Sequence, residues 1–142
     1  MAKEPIELAR TSQDLQIVLG RLVRRLRAEN TLPLRHTTVL SRLEREGPLG
    51  TSDLAQRERM RPQSMAETIK ELVSEGLVMR DPDPTDGRRW FIALTATGRE
   101  TVLRDRARRE EWLATAIAGE LTSREQETLA KAVALLSRLA DT

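Results

Sequence analysis

Between Arg61 and Gly98 the spacing of apolar residues changes once, and that change confines the segment to a helix followed by a β-hairpin. Met65, Ile69, Leu72 and Val73 fall at i, i+4, i+7 and i+8, which makes one buried stripe on a helix. Pro62 suits the first turn, where its missing N–H has no intrahelical partner anyway. Gly76 is a residue able to take the positive φ that ends a helix. Leu77 to Arg80 then reads as a short strand, and Arg89 to Thr95 as a second one with Trp90, Ile92 and Leu94 on one side. The connecting Asp-Pro-Asp-Pro-Thr-Asp-Gly has the composition of a tight, charged tip.

The polar groups of this unit suggest its use. Gln63, Ser64, Glu67 and Lys70 lie opposite the buried stripe; Arg57, Arg59 and Arg61 precede the helix; Arg88 and Arg89 sit at the hairpin tip. Amides, hydroxyls and guanidinium groups of this kind read base edges and hold phosphates. A solvated helix face beside a surface loop would carry the same residues, so the conjunction is the evidence.

Two stretches resemble the winged helix-turn-helix transcription regulators of the multiple antibiotic resistance regulator (MarR) type. LGTSDLAQRERMRPQSMAETIKELVSEGLV is similar to that family's helix pair, and DPTDGRRWFIALTATG to its wing motif of Asp-x-Arg followed by Leu-Thr-x-x-Gly at Leu94, Thr95 and Gly98. The resemblance implies a mainly α fold with a small β-hairpin wing, dimerised through the first, fifth and sixth helices. It implies a single domain over 1–142, with the winged lobe at 32–97 and dimerisation helices at 11–30 and 98–141. It further implies a homodimer on a palindromic double-stranded DNA operator, more often a repressor, released by a small and often aromatic effector held between the dimer helices and the lobe. On this reading Arg57, Arg59, Arg61, Gln63, Ser64, Glu67 and Lys70 serve the recognition helix, and Arg88 or Arg89 enters the minor groove. Asp86 braces the wing by pairing with an arginine there, although a plain Asp-Gly turn explains Asp86 and Gly87 nearly as well.

Composition excludes more than it assigns. Three aromatic residues in 142 leave a core of Leu, Val, Ile, Ala and Met, which suits a helical bundle. No apolar run is long enough to cross a bilayer and the first ten residues lack a signal peptide's apolar centre, so a cytoplasmic protein without a membrane partner is expected. The absence of cysteine excludes disulfides, thiolate metal sites and thiol-based oxidant sensing. A pI of about 9.6 tempts a nucleic-acid reading, yet 24 basic and 22 acidic side chains nearly cancel, so arrangement, not bulk charge, argues for DNA.

In chain order, the first ten residues are expected to be a loose arm, and Thr11 with Asp14 to start a helix whose Leu15, Leu19, Leu22 and Leu26 form a packing seam. After a break at Pro33 a second helix runs from Leu34 to Glu46, ended by Gly47 and Pro48. His36, the only histidine, has no partners for a zinc site or a catalytic triad and reads as structural or exposed. Thr51 or Ser52 is the expected N-cap of the third helix. Past the wing, Thr97 with Glu100 and Thr122 with Glu125 have capping-box spacing. The fifth helix, through Val102, Leu103, Ala107, Trp112 and Ile117, is charged in its middle and reads as a stalk with buried ends. The sixth carries Leu129, Ala132, Val133, Leu135, Leu136, Leu139 and Ala140, a stripe too wide for one neighbour to cover.

No nucleophile lies near a histidine, no glycine loop cradles phosphate and no metal-spaced ligand set occurs, so neither catalysis nor a cofactor is expected. Two alternatives remain open: a winged helix serving as a protein-protein interaction module, and a DNA-binding regulator of another winged-helix family. The first would want an apolar recognition face. Trp112 and His36 are weak candidates to line an effector site.

Overall fold

The computed structural model describes residues 5–142. It places α1 at Pro5–Arg27, α2 at Leu34–Glu46, β1 at Leu49–Gly50, α3 at Thr51–Arg57, α4 at Pro62–Ser74, β2 at Val78–Pro82, β3 at Trp90–Leu94, α5 at Ala96–Glu120 and α6 at Ser123–Ala140. The three strands form one antiparallel sheet in the order β1-β3-β2. Leu49 pairs with Ile92, and on the other side of β3 Val78 pairs with Leu94 and Pro82 with Trp90. Among the described residues no helix is long and apolar enough to cross a membrane.

The core lies entirely between α2 and the first turns of α5. Val39, Leu40 and Leu43 of α2 meet Leu54 and Ala55 of α3, Met65, Ile69 and Leu72 of α4, Leu77, Val78 and Ile92 of the sheet, and Val102 of α5. Each helix contributes its expected stripe, and non-directional burial of these side chains holds the helices against the sheet.

The Leu-Thr-x-x-Gly segment welds the wing to α5. Thr95 is the N-cap: its hydroxyl accepts from the Gly98 N–H at 3.0 Å and donates to the Gly76 carbonyl at 2.6 Å. A Cβ on Gly98 would sit 1.9 Å from the Leu77 carbonyl oxygen, so only glycine lets the helix approach the start of the hairpin this closely. Gly76 ends α4 at φ 74°, as its position suggested.

Several expectations are corrected. α1 begins at Pro5 and not near Thr11, since a proline in the first turn and the helix-forming Glu-Leu-Ala-Arg run extend it; residues 1–4 of the expected arm lie outside the described residues. The residue before α3 is Gly50, which is already in β1, so Thr51 falls inside the helix. Thr95 displaces Thr97 as the cap of α5, because only Thr95 also reaches Gly76. The Thr122–Glu125 capping box is formed as read. The far end of α5 is not buried within this chain: its buried residues stop at Gly98, Val102 and Asp105. Trp90 breaks the alternation of β3, being 54% exposed where the sheet runs past the core.

Candidate nucleic-acid interface

α3 and α4 are joined by a turn in which Arg59 takes φ 52°, a left-handed conformation unusual for a residue with a Cβ. Around it the Glu58 N–H bonds to the Leu54 carbonyl and the Met60 N–H to the Ala55 carbonyl, so the crossing angle of the two helices is set by backbone. α4 then starts at Pro62 after an N-cap, Arg61, that makes no side-chain capping bond. The positive end of its dipole is therefore left facing outward.

Met65, Thr68, Ile69 and Leu72 turn inward, and Gln63, Ser64, Glu67 and Lys70 are exposed along the opposite side. The arginines of the region divide into two sets. Arg42 is held by Glu58 at 2.8 Å and Glu46 at 3.0 Å, Arg57 by Glu46 at 2.8 Å, Arg35 by Glu71 at 3.0 Å and Arg106 by Glu44 at 2.7 Å. Arg106 pulls the Glu44 carboxyl below its usual range; Glu46, against the cost of burial, is lowered by Arg42 and Arg57; and Glu71 is lowered first by its hydrogen bond with His36 and then by Arg35. Arg59, Arg61, Lys70, Arg88 and Arg89 are exposed and make no ion pair among the described residues. Arg57, placed by sequence with the second set, belongs to the first: it clips the end of α3 to α2.

The wing is braced differently from the expectation for Asp86. The Asp86 carboxylate accepts the backbone N–H of Arg88 at 3.1 Å and makes no ion pair with an arginine among the described residues, which is the plain turn geometry. The buried acid is Asp83, whose Oδ1 accepts from the N–H of Thr85 at 2.8 Å and from its hydroxyl at 2.7 Å. Those bonds, first the backbone one, hold the Asp83 carboxyl below its usual range. The Asp83 N–H also donates to the Arg89 carbonyl at 2.9 Å, closing the loop that carries Arg88 and Arg89. The Asp-Pro-Thr spacing was a usable signal for this turn.

The chain's relatives fit this geometry. The model of the MarR family matches residues 32–90, and an uncharacterised HTH-type transcriptional regulator of Mycobacterium bovis is 38% identical over 136 residues, 94% of either chain. The chain belongs to the MarR family. A crystal structure of a transcriptional regulator protein from Pseudomonas aeruginosa PA01 superposes with a TM-score of 0.87 at 34% identity over 99% of both chains. A Staphylococcus aureus MepR mutant bound to an oligodeoxyribonucleotide shares the fold, with a TM-score of 0.71 at 19% identity over 91% of this chain and 97% of that one. The protein is thus a winged helix-turn-helix regulator of the MarR family.

The two candidate effector-site residues of this MarR-family chain do not converge. Trp112 lies under the Arg25 guanidinium, 4.3 Å from the ring centroid, in a groove of about 720 Å³ between α1 and α5 that Val18, Leu22 and Arg21 also line. His36 is 2% exposed and packs in the lobe, with its Nε2 2.6 Å from Glu71.

Proposed function

We propose that this regulator binds palindromic double-stranded DNA as a homodimer, with the start of α4 in the major groove and the wing loop over the flanking minor groove. The observation that carries the reading is the division of the cations. Four arginines of the lobe and its junction with α5 are consumed by carboxylates, while those around α4 and the wing are left exposed, beside an amide and a hydroxyl at Gln63 and Ser64. A protein-docking face would be apolar there. Dimerisation is supported by Leu135 and Leu139 of α6, 57% and 60% exposed, and by the half-exposed Leu19 and Leu22 of α1. Repression relieved by a small aromatic effector follows from the family habit, and the groove of Trp112, Val18, Leu22, Arg21 and Arg25 has apolar walls and cations that suit an aromatic anion.

The wing and helix should fail differently when mutated. Against a duplex selected by the wild-type protein from a random-sequence pool, Gln63→Ala should cost about 1 to 3 kcal/mol while leaving a shuffled duplex unaffected. Arg88→Ala with Arg89→Ala should weaken both duplexes and flatten the salt dependence by about one unit of slope per lost phosphate contact. The protected half-sites should lie roughly 10 base pairs apart, one helical turn. Equal loss of both duplexes in every variant would refute the division of labour.

A further inference from the structure

His36 is an expensive residue to keep where it is. It is 2% exposed, and while Nε2 meets Glu71 Oε2 at 2.6 Å, the other ring nitrogen, Nδ1, is buried with no hydrogen-bond partner; Glu75 Oε2 lies 3.8 Å from it. A leucine would fill the same space without an unpaired polar atom. Its contribution must therefore come from the one directional bond it makes, and that bond ends on the recognition helix.

We propose that His36 is a positioning residue for sequence reading, fixing the roll of α4 about its own axis through Glu71. This rests on the reading of α4 as the DNA-reading element. The inward face of α4 is Met65, Thr68, Ile69 and Leu72, with the Thr68 hydroxyl satisfied inside its own helix by the Ser64 carbonyl. Such a contact holds the helix against the core but tolerates rotation, because burial is non-directional. With side-chain ends some 5 to 6 Å from the axis, a roll of about 20° displaces a reading group by about 2 Å, enough to lose a base contact.

Glu71 lies one turn beyond Glu67 and next to Lys70, at the edge of the reading face, so an anchor there controls that roll directly. Arg35 also reaches Glu71, at 3.0 Å, but from a long, exposed side chain. The imidazole is enclosed and has only two torsions, so it is the rigid end of the contact. It belongs to the first turn of α2, next to a turn that is itself held: the Thr31 N–H and hydroxyl each donate to the buried Asp105 carboxylate of α5 at 3.1 Å. The recognition helix is thus referenced, through His36, to the point where α5 meets the lobe.

The test compares the wild-type-selected duplex with a shuffled duplex of the same composition. His36→Ala and Glu71→Ala should each lower the ratio of selected to shuffled affinity by about tenfold or more, the scale of one hydrogen bond to a charged group. In His36→Ala, shuffled-duplex affinity and its salt slope should stay at wild-type values, since the phosphate-facing cations are untouched; Glu71→Ala also releases Arg35 and is read by the ratio alone. The double variant should lose no more than either single one. His36→Gln, whose amide N–H can still donate to Glu71, should recover most of the ratio, and Arg35→Ala should leave it nearly unchanged. Glu71 is partly exposed, so its variant carries the test if His36→Ala does not fold. An unchanged ratio in Glu71→Ala, additive losses in the double variant, or no recovery with glutamine would overturn the proposal and leave the DNA reading intact. A wild-type protein that selects no duplex would overturn both.

Discussion

The lobe and the terminal helices are made of the same aliphatic residues, but they end in opposite states. From Val39 to Val102 most apolar positions close on one another, and Val39, Leu54, Met65, Leu72 and Ile92 have almost no exposed surface. On α1, among its described side chains, and on α6 not one residue is buried, although both have regular apolar stripes. The amphipathic pattern therefore marks a surface that needs covering without saying whether the same chain covers it. Here the lobe is a finished hydrophobic unit, and the ends carry apolar stripes that the single chain leaves uncovered.

The comparison predicts that the two regions break by different routes. The largest effect should come from Gly98→Ala. Alanine would add at most about 1 kcal/mol of helix preference at this position. Against that stands a Cβ 1.9 Å from the Leu77 carbonyl oxygen, with backbone on both sides of the clash. Overpacking of this kind costs on the order of 3 kcal/mol, so the clash wins. Urea unfolding should show the loss, at unchanged dimer affinity for whatever protein stays folded. A wild-type midpoint in Gly98→Ala would mean that the wing is not welded to α5 through this contact.

The next effect should leave the lobe intact and open the ends. Leu135→Glu with Leu139→Glu changes two side chains that are already exposed in the single chain. Each leucine covered at an interface is worth about 1.5 to 3 kcal/mol, and a two-fold contact loses them from both copies. That sum is comparable to the roughly 8 kcal/mol of a micromolar dimer. Sedimentation at micromolar concentration should show dimers for the wild type and monomers or aggregates for the variant, with the lobe's near-ultraviolet signal preserved. A dimeric variant would show that α6 is not the seam.

The same contrast explains how much the amino-acid order disclosed. Helix spans other than the start of α1, the α4 stripe, the Gly76 stop and the hairpin were readable because their signals are local: a period, a glycine, an Asp-Gly pair. Two caps were misplaced, by one residue and by two, because Thr51 and Thr97 look as good in isolation as the true neighbours, and only strand pairing at Gly50 and the reach of Thr95 to Gly76 decide between them. β1, two residues long, has no period to detect. The least visible features join distant positions: Arg57 to Glu46, Thr31 to Asp105 and His36 to Glu71, the last 35 residues apart. No spacing rule announces them. The exposed polar face of α4, which needs no partner within the chain, was by contrast open to inspection from the outset.

The wing loop sharpens the comparison further, since it belongs to the lobe yet its Asp83–Arg89 tip is held by hydrogen bonds instead of apolar contact. Asp83 accepts from the Thr85 N–H and hydroxyl as a carboxylate, and both bonds favour its charged form, so its folded value lies below the ordinary 3.8. A carboxyl depressed in this way contributes stability above 3.8 that is lost as pH falls through the lower folded value. The effect should be small and local, because the group lies in a surface loop away from the apolar core. The Thr85 amide proton reports it directly. Its chemical shift should move with a midpoint below 3.8 in the wild type, and should not move over that range in Asp83→Asn, which keeps an acceptor oxygen but has nothing to titrate. The variant's wing should also exchange its amide protons faster at neutral pH, while those of α4 stay protected. A Thr85 midpoint at or above the ordinary value would remove Asp83 as the brace. Slowed or unchanged wing exchange in Asp83→Asn would assign the loop's shape to its two prolines and the Asp86 turn alone.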